Sequence, residues 1–116
     1  MSDSFTRAYI ECALWSSTDD DGTQLGRLAD SDIAPETYAK FEADCAAFQE
    51  SYAELLAQAG DDAQNGHDFW LTRNGHGAGF WDRGYPDAIG DALSEAARRY
   101  GSCDLYIGDD GRIYCG

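Results

Sequence analysis

The chain has 116 residues and sets 22 Asp plus Glu against 8 Lys plus Arg, a formal net charge of −14. That length suits a single domain over 1–116 with a real hydrophobic core, and charge of that sign opposes direct nucleic-acid and anionic-membrane binding while favouring basic partners. No apolar run nears the roughly 20 residues that cross a bilayer, and Met1-Ser-Asp-Ser-Phe lacks the basic start and apolar stretch of a signal peptide, so a cytoplasmic location is expected.

Residues 4–16 fit two periods. Phe5, Tyr9, Cys12 and Trp15 fall near helical spacing, whereas Ala8, Ile10, Cys12 and Leu14 alternate as in a strand. A helix capped by Ser4 is the preferred reading. Ser16-Ser-Thr-Asp-Asp-Asp-Gly-Thr is a loop by composition, and its adjacent Asp19, Asp20 and Asp21 repel one another. No EF-hand spacing follows them, so calcium is not expected.

Pro35, with Asp32 or Ala34 ahead of it, predicts a helix start, because a missing N–H costs nothing in a first turn. Tyr38, Phe41, Cys45, Phe48, Tyr52, Leu55 and Ala59 then recur at spacings of three and four, one stripe on a helix over 35–59 that Gly60 ends. Such a stripe is ordinarily core, although heptad-like spacing also permits a homodimer seam. The polar side carries more information about function. After Lys40 the next basic residue is Arg73, and between them lie Glu42, Asp44, Glu50, Glu54, Asp61, Asp62 and Asp68. Self-repulsion along such a run opposes folding, which points to a use for it.

Asn74-Gly75 reads as the turn of a hairpin over about 68–82, since a type I′ turn needs positive φ at both central positions. Its pairs would be Phe69 with Phe80, Leu71 with Ala78, and Trp70 with Gly79. One face would be core and the other would display Asp68, Trp70, Thr72 and Trp81 among glycines. Pro86 opens a second helix over about 86–100, with Ile89, Leu93, Ala96 and Tyr100 inward and Gly101 closing it. Gly90 inside it implies close packing, as it costs about 1 kcal/mol relative to Ala. Residues 104–115 form a further hairpin. A three-residue loop, Asp109-Asp110-Gly111, pairs Leu105 with Cys115, Tyr106 with Tyr114 and Ile107 with Ile113. The two hairpins would join in one antiparallel sheet packed on the helices, an α+β fold.

The chemical motifs are sparse. Cys12, Cys45, Cys103 and Cys115 form no CxxC pair, and with His67 and His76 alone they match no usual zinc framework. The even count allows disulfides, but the expected location favours buried thiols. His67-Asp68 is the dipeptide of metal-dependent phosphohydrolases, though the chain offers few further ligands. His76 among glycines matches no phosphate-binding loop. All four cysteines lie in apolar patterns, so no nucleophile stands out. Trp70, Trp81, Tyr106 and Tyr114 could stack bases, yet only Arg73, Arg83 and Arg112 accompany them. No cofactor is expected.

The segment Gly66-His-Asp-Phe-Trp-Leu-Thr-Arg-Asn-Gly-His-Gly-Ala-Gly-Phe-Trp-Asp-Arg-Gly, with the closing Asp104-Leu-Tyr-Ile-Gly-Asp-Asp-Gly-Arg-Ile-Tyr, resembles a family of small, mostly uncharacterised bacteriophage and plasmid proteins. That resemblance implies a mobile-element protein acting inside a bacterial host cell, and it assigns no residue a role. In that setting the expectation is an anti-CRISPR or anti-restriction protein. Its carboxylates would mimic DNA phosphates in the basic channel of a host nucleic-acid-handling complex. Candidate contacts are Asp19, Asp20, Asp21, Glu42, Asp44, Glu50, Glu54, Asp61 and Asp62. One alternative is an accessory protein that binds its partner through an aromatic sheet face bearing Trp70 and Trp81. Another is a small metal-dependent hydrolase or nuclease using His67 and Asp68.

Overall fold

Asp3 starts the first helix. Its Oδ1 accepts the Thr6 N–H at 2.8 Å and its carbonyl accepts that of Arg7, so the cap falls one residue before Ser4. The computed structural model describes residues 3–16, 32–75, 80, 87–103 and 105–115. Within it α1 (Ser4–Ser16) is the preferred helix, burying Phe5, Tyr9, Ile10, Cys12, Ala13 and Leu14. Trp15 falls off that stripe and is 80% exposed.

Pro35 sits in the first turn of the next helix, as expected, with Ala34 as its cap residue. The span 35–59 is bent rather than continuous. α2 (Pro35–Ser51) and α3 (Ala53–Ala57) meet at Tyr52, whose φ of −124° and ψ of 26° leave the helical region. The hydrogen bonds run on through the bend, Tyr52 N–H to the Phe48 carbonyl and Leu56 N–H to the Tyr52 carbonyl. The stripe is core, with Phe41, Cys45 and Phe48 fully buried and Tyr38, Tyr52 and Leu55 packed around them. Asn65, and not a left-handed Gly60, secures the far end. Its side-chain amide donates to the carbonyls of Leu56 and Gly60 and accepts the Gly60 N–H.

The largest correction concerns 68–82. Residues 62–73 are a helix, α4 (Asp62–Arg73), so no hairpin forms about Asn74-Gly75. Asp61 caps it by accepting the Gln64 N–H at 2.8 Å. Gly75, at φ 70°, ends it with its N–H on the Thr72 carbonyl. Positive φ is needed in a helix C-terminal turn as much as in a type I′ turn, so Asn-Gly serves either. The expected partners Ala78, Gly79 and Trp81 lie outside the described residues, as do His76, Asp19, Asp20 and Asp21. Phe69 and Phe80 do share the core, both stacked on Phe48, at 4.1 and 5.9 Å between ring centres.

α5 (Asp87–Arg98) turns Ile89, Leu93, Ala96 and Ala97 inward and ends near Gly101, at φ 75°. Gly90 is buried, in keeping with close packing. β1 (Leu105–Ile107) and β2 (Ile113–Cys115) form the closing hairpin in the expected register, Leu105 to Cys115, Tyr106 to Tyr114 and Ile107 to Ile113. The Gly108 N–H bonds the Arg112 carbonyl around the three-residue loop, with Gly111 at φ 79°. With α4 in place of the first strand of the other hairpin, this sheet has two strands among the described residues, and a parallel bridge from Ile33 to Ile113 ties it to the start of α2. The fold is α+β and mostly helical. Among the described residues no helix is long and apolar enough to cross a membrane.

Cys103 and Cys115 are joined by a disulfide with 5.7 Å between Cα atoms, which corrects the expectation of four thiols. The hairpin brings the two ends together, so the bond closes a loop the sheet already closes. Cys12 and Cys45 are buried thiols, as expected.

α4 is the central element. It buries Asn65, Gly66, Asp68, Phe69, Trp70, Thr72 and Arg73, and it crosses α1 where Gly66 faces the Phe5 backbone. A Cβ on Gly66 would run into the Phe5 carbonyl oxygen, a backbone atom that no rotamer change can clear. Gly66→Ala in a helix would ordinarily stabilise by about 1 kcal/mol. In this chain it should instead destabilise by roughly 2–3 kcal/mol, measured by urea unfolding, because α1 must shift. A gain in stability would mean that α1 and α4 do not meet there.

Candidate functional site

Burial of α4 decides which of the expected residues reach a partner. Arg73, at its last turn, points inward and is 5% exposed. Its Nη1 donates to the Tyr9 hydroxyl at 2.9 Å and to Asp44 Oδ2 at 3.0 Å. Nε donates to the Gly101 carbonyl at 2.8 Å and Nη2 to the Tyr100 carbonyl at 3.0 Å. The guanidinium carbon also lies 5.7 Å from the ring centres of Phe69 and Tyr100. A planar fork of five donors suits this arrangement, which a lysine could not reproduce.

Asp44, half-buried, is therefore the counter-ion of Arg73 on the α1–α2–α4 seam and already paired, which the sequence did not suggest. Glu50, Glu54, Asp61 and Asp62 are exposed, and Glu42 is half-buried. Asp61 has the added task of capping α4. The four exposed groups follow one another along the end of α2, α3 and the start of α4. Among the described residues from 41 to 75 the sole cation, Arg73, is turned away from them. The acidic run thus reaches the surface without an internal neutraliser.

The aromatic-face reading fares differently. Trp70 is 1% exposed and its Nε1 donates to Ser16 Oγ at 2.9 Å. It meets Tyr9 edge-on at 5.4 Å, so it is a core residue unavailable to a partner. Alternation about a turn would place Trp70 outward, whereas helical geometry rolls it onto α1. Trp81 lies outside the described residues. Tyr106 and Tyr114 do stack across the closing hairpin, 5.7 Å between centres.

His67 and Asp68 are neighbours on a helix, about 100° apart around its axis. His67 is exposed and Asp68 fully buried, so the two side chains do not converge as metal ligands. Among the described residues no three His, Cys, Asp or Glu groups gather at one point. Cys12 and Cys45 are closed off from solvent, and burial pushes the Cys45 thiol far above its ordinary range, the opposite of an activated nucleophile. No family model, no curated protein and no solved structure matches the chain.

The buried seam predicts a pH response. Burial raises the Tyr9 phenol above its ordinary 10.0, outweighing the opposing pull of Arg73. Burial likewise raises Cys45 above its ordinary 9.0, against a hydrogen bond from Thr6. The unfolded chain releases both protons near those ordinary values while the folded chain holds them. Their contribution is whole below those values and is lost as pH rises toward the folded ones. Urea unfolding should show stability falling on the order of 3 kcal/mol between about pH 8 and about pH 10.5. A flat profile would place both groups in contact with solvent.

Proposed function

We propose that this protein binds and blocks a basic, nucleic-acid-handling complex of a bacterial cell, presenting Glu50, Glu54, Asp61 and Asp62 where that complex would hold phosphates. The observation that carries the reading is the exposed acidic run along α2, α3 and the start of α4, in which the one Lys or Arg between residues 41 and 75, Arg73, is buried. Exposed carboxylates gathered along one stretch attract Lys and Arg grooves at long range, and such binding weakens steeply with salt. The whole-chain charge of −14 supports the same direction of steering. An anti-CRISPR or anti-restriction role, with action in the cytoplasm, is the form this reading takes. In a reducing cytoplasm the Cys103–Cys115 bond would open, and the hairpin would then rest on its strand pairing and the bridge to Ile33.

The test is competition with duplex DNA for purified restriction and CRISPR effector complexes, across a salt series. The wild-type protein should displace DNA at low salt and lose that ability as salt rises. Glu50→Lys with Glu54→Lys should weaken displacement by roughly tenfold or more, since two reversals change the charge by four. Both residues are exposed, so circular dichroism should be unchanged. Displacement that is undiminished in the double variant would remove the acidic run from the binding face.

A further inference from the structure

A second surface differs in chemistry. An open groove of about 400 Å³ lies between α1 and α4, lined by Ala8, Glu11, Trp15, Ala63, Gln64 and His67 among others. Trp15 is the most exposed large hydrophobic among the described residues, at 80%. An indole left in water beside a cavity is an unusual use of the side chain that most often anchors an interface. Alanines at 8 and 63 leave the space open, while Glu11 stands one turn from Trp15 on the same helix face.

The groove is also held in shape. Ser16 Oγ donates to the Cys12 carbonyl at 2.7 Å and accepts the Trp70 indole N–H, which fixes the last turn of α1 just beyond Trp15. The close crossing at Gly66 sets the distance between the two helices. Glu11 is the one formally charged residue lining the groove, and exposed Asp61 and Asp62 directly precede Ala63 at its α4 side. Arg7, exposed one turn before Glu11, is the nearby cation on α1.

We propose that this groove receives an arginine side chain from a basic protein partner, its guanidinium lying over the Trp15 indole and pairing with Glu11. Arginine fits better than lysine. Its planar, weakly hydrated head stacks on an indole face and forks onto a carboxylate, while its aliphatic stem suits the alanine floor. His67 and Gln64 form the opposite wall, where the exposed imidazole can bond a remaining guanidinium N–H group. The inference shares the partner's basic character and the neighbouring Asp61 and Asp62 with the reading above, but rests on Trp15 and Glu11, which that reading does not use.

The experiment follows the Trp15 indole N–H by NMR in the full chain, assigned by its absence in Trp15→Phe. N-acetyl-arginine methylamide is titrated in, with the lysine and leucine analogues as comparisons. Arginine should shift the Trp15 signal saturably, lysine more weakly and leucine not at all. Glu11→Gln should weaken the arginine response roughly three- to tenfold, and Glu50→Gln with Glu54→Gln should leave it unchanged. Glu11 and Trp15 are exposed, so both variants should keep the wild-type circular dichroism. An absent response, an equal response to leucine, or an undiminished response in Glu11→Gln would overturn the proposal. Equal weakening by the Glu50 and Glu54 changes would reduce it to general charge attraction. A failed DNA competition with this response intact would sink only the acidic-run reading.

Discussion

The Arg73 guanidinium joins four parts of the chain in one place. It reaches Tyr9 on α1, Asp44 on α2 and the two carbonyls of Tyr100 and Gly101 at the exit of α5, from its own position at the end of α4. Burying a cation is unfavourable unless its donors are met, and here three nitrogens have four acceptors between them. The aromatic rings of Phe69 and Tyr100 close over it. Together with the Trp70–Ser16 hydrogen bond and the close crossing at Gly66, the guanidinium fixes helices that otherwise meet through apolar contacts. Asn65 does similar work at the other end of α4, binding Leu56 and Gly60 across the α3–α4 turn.

That interior arrangement shapes the exterior. Turning Arg73 inward removes the one positive charge in a long acidic stretch from the surface, and Asp44 goes in with it. What remains outside is a set of carboxylates with no exposed lysine or arginine among residues 41–75. Elsewhere the chain does pair exposed charges, as in Glu95 with Arg99 on α5. The groove at Trp15 lies at the α1 side of the same central helix, so both surfaces depend on α4 being placed correctly.

Much of the fold was legible in the residues. The aromatic stripe from Tyr38 to Leu55 placed α2 and the core, and the alternation of Leu105, Ile107, Ile113 and Cys115 set the hairpin register to the residue. α4 was not legible by the same means. Its inward face carries Asn65, Asp68, Thr72 and Arg73 alongside Phe69 and Trp70, so hydrophobic periodicity is masked by buried polar groups. A cue was present: Asp61 followed three residues later by Gln64 is a capping pattern, and the Asp61 side chain does accept the Gln64 N–H. The Asn-Gly signal overrode it because one backbone conformation serves two turns. For the site, charge alone located the acidic stretch but not which of its carboxylates reach solvent, since Glu42 and Asp44 are half-buried and Asp68 is fully buried. The inward turn of Asp44, the burial of Trp70 and the exposure of Trp15 all required the helical phase of α1 and α4.

The buried guanidinium is the claim on which the rest turns, and urea unfolding of Arg73→Lys tests it most directly, with Arg99→Lys as the exposed control. Lysine keeps the charge but cannot reach four acceptors in a plane. Arg73→Lys should lose roughly 2–4 kcal/mol, while Arg99→Lys, on a fully exposed pair, should leave the midpoint where it was. Equal stability of the two variants would mean that Arg73 faces solvent, and both the clamp and the unneutralised acidic run would fall together.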